Sequence, residues 1–202
     1  MKTIIAAAGT IALATAAASG QIELTTNGGF ENGTTSDWEY FPTPTSTFNV
    51  TADADGSMFA AELFNDSPAS AAVIKQANIG IGQVTAGQEV TITFSAKGSF
   101  AAGGVAFAEF FSELDGGGTS SAEILGGGPL ALTSEWQTFT FTTFAGPDVS
   151  GGITLQLTAT TGGAPGSTAV VFYDNVSVTI IPTPGAAATL GLAGLFCARR
   201  RR

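Results

Sequence analysis

Three observations predict an all-β chain folded as a jelly-roll β-sandwich of about eight or more antiparallel strands. Apolar and polar residues alternate with period two in segment after segment. No long stretch has helical periodicity. Glycine-rich connectors fall between the alternating segments: DGGGTSS at Asp115–Ser121, GGGP at Gly126–Pro129 and TGGAPGST at Thr161–Thr168. Self-similarity at a period of roughly 20–50 residues, the mark of a solenoid or propeller, is not visible.

Taken in chain order, Gln21–Thr25, Ser57–Phe64 and Ala72–Ile79 are weak strand candidates. EVTITFSAK is the clearest, with Val90, Ile92, Phe94 and Ala96 on one face and Thr91, Thr93 and Ser95 on the other. Gly104–Phe111 is weak again; QTFTFTTF then sets Phe139 and Phe141 against threonines. ITLQLTA turns Ile153, Leu155 and Leu157 inward. VVFYDNVSVTI ends the series, its expected inward face being Phe172, Val176, Val178 and Ile180.

The 202 residues divide into three parts. Residues 1–20 have one lysine near the start, an apolar run from Thr3 to Ala18 and then small residues. That order is expected of a secretory signal cleaved after Ala18 or Gly20. Residues 21–181 are expected to form one domain, enough for a single core. All sixteen acidic residues fall there against only Lys75 and Lys97, a formal charge of −14. Such a surface repels nucleic acid and suits solubility or cation binding. The sequons at Asn32, Asn49, Asn65 and Asn175 are read as chance.

Residues 182–202 carry Pro182-Thr183-Pro184, an uncharged stretch from Gly185 to Ala198 and the consecutive Arg199, Arg200, Arg201 and Arg202. A helix of that stretch rises about 21 Å, short of the ~30 Å hydrocarbon core, so insertion needs thinning or arginine snorkelling. The arginines would hold that end inside and leave the domain outside. This tail resembles the PEP-CTERM sorting signal of bacteria that make extracellular polysaccharide, although the central glutamate of that motif is replaced by Thr183. The resemblance implies recognition by an exosortase-type enzyme, transient residence in the inner membrane, cleavage near the proline motif, and release or attachment at the cell surface.

The chain has no histidine, and its single cysteine, Cys197, lies in the tail. Serine–histidine, cysteine–histidine and zinc–histidine chemistry are therefore excluded, and the domain has no disulfide. A glycosidase would need Glu109 and a second carboxylate, Glu113 or Glu62, about 5–9.5 Å away. Chance proximity in so acidic a chain is the better account of these glutamates, and no enzyme is expected.

Four phrases in order, NGGFENGTTSDW, GQEVTITFSAKG, SEWQTFTFTTF and VVFYDNVSVT, resemble carbohydrate-binding modules of the family 4 and 9 type over about residues 22–180. The resemblance implies a jelly roll, polysaccharide as partner and no catalysis. It also implies a structural Ca²⁺ joining the first strand to the last through Glu31 and Asp174, with the Gly29 carbonyl and Glu62 as further ligands, in keeping with calcium's demand for six to eight oxygens. DADGS at Asp53–Ser57 has alternating oxygens, but Phe64 occupies the place of the closing glutamate of a calcium loop, so it is read as a polar turn.

Sugar binding calls for aromatic faces with polar groups at their rim. Tyr40, Phe107 and Phe110 are the expected rings, while Trp38 and Trp136 are read as packing residues. A structural or adhesive surface protein without sugar affinity is the alternative.

Overall fold

A computed structural model describes residues 20–182. Residues 1–19 of the signal segment and the sorting residues Thr183, Pro184 and Arg199–Arg202 lie outside the described residues; Pro182 is half-buried at their end.

Two antiparallel sheets face each other. The first runs β3 (Thr47–Thr51), β4 (Ala60–Asn65), β11 (Thr168–Ile180), β6 (Glu89–Ala101), β9 (Gln137–Phe144), and the short β1 (Ile22–Glu23) pairs with the end of β11. The second runs β2 (Glu39–Phe41), β5 (Ala71–Ile79), β10 (Ile153–Thr160), β7 (Ala108–Glu113), β8 (Thr119–Ile124). A single 3₁₀ turn at Leu125–Gly127 is the only helical element among the described residues.

The core lies where the inward residues of the two sheets meet. Val90, Ile92, Phe94 and Ala96 are fully buried, as the alternation predicts, and Ile153, Leu155 and Leu157 oppose them from the second sheet. Phe139 and Phe141 are half-buried and flank Phe94, at ring-centroid distances of 5.6 and 6.0 Å, because β9 is an edge strand. Tyr173 stitches the layers together: its ring is fully buried and its hydroxyl donates to the Thr158 carbonyl of the other sheet at 2.9 Å.

One strand departs from its expected phase. Along β11 the inward residues are Val171 and Tyr173, then Val176, Val178 and Ile180. An extra residue lies between Asp174 and Ser177, opposite Ser95 and Thr93, and Asn175 takes a φ of 51°. This bulge reverses the alternation, so Phe172 points out of the sandwich and not into it.

Three strands escape the period-two reading. The segments β2 and β3 are short edge strands, and β8, TSSAEI, opens on three polar residues and buries none of its six, so its first residues read as the end of a glycine loop.

Candidate functional site

The outward side of the second sheet is the most developed surface of the domain. Ala106 and Ala108 are fully buried, so Phe107, Glu109 and Phe111 point outward. Across the sheet the register sets Glu39, Lys75, Gln156, Glu109 and Ile124 in one row. At roughly 4.8 Å per strand that row spans about 19 Å.

The row is internally bonded. Lys75 Nζ lies 3.9 Å from Glu39 Oε2 and 4.6 Å from the centre of the Phe41 ring. Gln156 Nε2 donates to Glu109 Oε2 at 2.5 Å. On the outward side of the central strand, Thr154 and Thr158 are buried although no core covers them. Neighbouring side chains therefore cover these threonines, and Phe41, Phe107 and Phe111 stand on the same face. Phe41 is 46% exposed and Ile124 42%.

Of the expected rings, the structure places Phe107 on this face, half-buried. Phe110 faces the opposite way and is 2% exposed, because the same parity that sends Phe107 out sends it into the core against Leu155. Tyr40 also faces inward: it pairs with Ile74, packs on Phe48 at 5.6 Å and hydrogen-bonds Ser46 Oγ at 2.6 Å. Phe41 and Phe111, the immediate neighbours of Tyr40 and Phe110, are the outward rings. Trp38 packs in the core, its ring stacked on Phe30 at 5.5 Å.

The carboxylate pairs considered for glycoside hydrolysis do not form. Glu109 and Glu113 are four positions apart on one strand, about 13 Å at roughly 3.3 Å per residue, outside the range of about 5–9.5 Å. Glu62 stands on the other sheet, opposite Phe172.

A second cluster gathers at the β11 bulge. Asp174 is fully buried; its Oδ2 accepts from Asp55 N at 2.9 Å and Ser57 Oγ at 2.7 Å, and its Oδ1 accepts from Asn175 N at 2.6 Å. Glu31 accepts from the backbone amides of Met58 and Phe59, with Phe59 N at 2.9 Å. Both carboxylates thus pin the loop from Asp53 to Phe59. A Cβ placed on Gly29 would lie 3.5 Å from Glu31 Cγ and 3.8 Å from Asp174 Oδ1, so the two acids border one small space that glycine leaves open.

No cationic side chain pairs with Asp174, since the ion pairs among the described residues are Lys75–Glu39 and Lys97–Asp53. A buried carboxylate held by three donors with no countercharge is chemically suited to a hard cation. No three acidic side chains converge as a metal cluster among the described residues. Glu62 is outward on β4 at the level of Phe172, two positions along β11 from Asp174, and does not join Glu31 in holding the loop.

The fold is a jelly-roll β-sandwich, and solved carbohydrate-binding modules are similar to it. The CBM22-1 xylan-binding domain of Paenibacillus barcinonensis Xyn10C superposes with a TM-score of 0.57 at 15% identity, covering 84% of this chain and 99% of that one. A family 16 carbohydrate-binding module superposes with a TM-score of 0.51 at 17% identity, over 77% of this chain and 98% of that one. The enzymatically active domain of tailspike protein 4 from bacteriophage CBA120 gives a TM-score of 0.60 at 16% identity; the match covers 79% of this chain but 22% of that one. No family model matches the chain, and no curated protein matches it.

Proposed function

We propose that the protein is an exported, non-catalytic polysaccharide-binding module of the bacterial surface or extracellular matrix, sorted through its tail by an exosortase-type enzyme. The observation that carries the binding reading is the outward face of the second sheet, where the row Glu39–Lys75–Gln156–Glu109 lies among three rings. Phe41, Phe107 and Phe111 offer ring faces to pyranose C–H groups. Glu109 and Glu39 accept hydrogen bonds from sugar hydroxyls, Lys75 donates them, and Gln156 does both. A row running across five strands suits a chain of sugars better than a single ring. The fold shared with known carbohydrate-binding modules supports this reading.

In this reading Ca²⁺ is held by Asp174 and Glu31 with the Gly29 carbonyl. It would supply countercharge to the buried carboxylate and brace the Asp53–Phe59 loop against the bulge. That role is structural: the cluster sits at the first sheet, whereas the row of polar residues and rings belongs to the second.

Depletion assays with the full chain on insoluble cellulose, xylan, mannan and chitin, each with calcium and with chelator, test the proposal. Retention on at least one polysaccharide is expected. Absence of retention on all of them in both conditions would favour the structural or adhesive alternative.

A further inference from the structure

Both lysines of the described residues occupy the same kind of setting, one on each sheet. Lys75 lies under Phe41 beside Glu39 on the second sheet. Lys97, on the outward side of the first sheet, lies 5.0 Å from the Trp136 ring centre and 5.1 Å from that of Phe172, with Nζ 2.6 Å from Asp53 Oδ1. The second arrangement is the tighter one: the Lys97 side chain is 14% exposed, against 26% for Lys75.

A shallow depression of about 160 Å³ adjoins this ammonium and is lined by Lys97, Gly98, Ser99, Ser134 and Phe172. Gly98 is required there by space, because a Cβ would lie 2.8 Å from the Val170 carbonyl oxygen. Trp136 Nε1 is the one buried side-chain nitrogen or oxygen among the described residues without a hydrogen-bond partner. The indole is therefore positioned by its ring contacts with Phe172 and Lys97, and no hydrogen bond fixes it.

We infer that this depression is a second carbohydrate-contact site, taking one neutral sugar unit and making the domain bivalent. The inference rests on the polysaccharide-binding reading. At about 160 Å³ the depression is smaller than the roughly 300–1,000 Å³ of pockets that enclose a whole ligand, so it contacts one ring rather than a chain. Lys97 donates from the wall of the depression to a sugar hydroxyl, held in place there by its ion pair with Asp53. Phe172 supplies the stacking face and Ser99 and Ser134 the polar rim. An anionic sugar is disfavoured, since Asp53 already neutralises the one cation and the domain is strongly acidic. Sites on opposite faces of the sandwich would let one molecule join two polysaccharide chains.

The test is amide chemical-shift mapping of the ¹⁵N-labelled full chain with methyl β-xyloside, methyl β-glucoside, methyl β-galactoside and methyl α-mannoside, beside the Ser134→Trp variant. Ser134 is exposed and lines the depression, so a tryptophan there obstructs it from the rim without entering the core. With at least one glycoside, saturable shifts are expected at Lys97, Gly98, Ser99 and Ser134, weakened by about tenfold or more in the variant, while any shifts at Glu109 and Gln156 persist. Shifts confined to the Glu109–Gln156 face would overturn the second site and leave the first. Shifts at Lys97 that survive Ser134→Trp unchanged would overturn it too. Shifts at neither face, in a chain that also fails to bind polysaccharide, would remove both.

Discussion

Gly28 and Val176 interlock at the β11 bulge: Val176 N donates to the Gly28 carbonyl at 2.9 Å, and a Cβ on Gly28 would lie 1.9 Å from the Val176 carbonyl oxygen. The bulge is thus held by backbone meeting backbone, and neither side can retreat as a side chain would. Gly28→Ala should destabilise the domain by about 3 kcal/mol, the upper end of overpacking costs, read as a lower urea midpoint at unchanged m-value. An unchanged midpoint would mean that the close approach is not kept in solution.

Asp174 holds the same region from inside. Asp174→Ala leaves the Asp55 amide and the Ser57 hydroxyl without their acceptor and should cost about 2 kcal/mol or more. If Ca²⁺ binds here, a hundredfold excess over Kd adds about 2.7 kcal/mol to the native state and raises Tm by about 5–10 °C. That rise should vanish in Asp174→Asn and in Glu31→Gln. A melting temperature indifferent to both calcium and chelator would exclude the ion.

Burial pushes the Tyr173 phenol well above its ordinary range. The folded state therefore keeps the proton while the unfolded chain releases it above about pH 10. With the folded value raised, the contribution is fully present below about pH 10 and is lost as pH rises further, at about 1.4 kcal/mol per pH unit. Urea midpoints measured above that pH should fall less steeply in Tyr173→Phe, which should itself cost about 1 kcal/mol for the hydrogen bond to Thr158. Phenolate absorbance from both of the chain's two tyrosines before any loss of structure would contradict this.

The sequence made the sandwich legible because β6, β9 and β10 carry period-two alternation strong enough to assign both faces. It misplaced faces where parity depended on something the pattern does not announce. Phe172 turns outward because of the single extra residue at the bulge. Phe110 and Tyr40 were each one position from the ring that does face out, Phe111 and Phe41, and the signal that separates them was present: Ala106 and Ala108 are the small inward residues of their strand, and they fix Phe110 inward. The row Glu39–Lys75–Gln156–Glu109 was not legible, because it is assembled from four strands whose pairing order only the fold supplies.

The account depends most on the outward face of the second sheet, and affinity electrophoresis of the chain beside Phe107→Ala and Phe111→Ala tests it most directly. Both rings are half-buried, so retention is scored only for variants that melt within a few degrees of the parent. The prediction is retardation of the parent in gels containing a soluble polysaccharide, such as xylan or a mixed-linkage glucan, and a loss of about tenfold in affinity, ~1.4 kcal/mol, in each variant. Retardation unaffected by both substitutions would place binding elsewhere on the domain, and no retardation of the parent in any polysaccharide would contradict a carbohydrate-binding function.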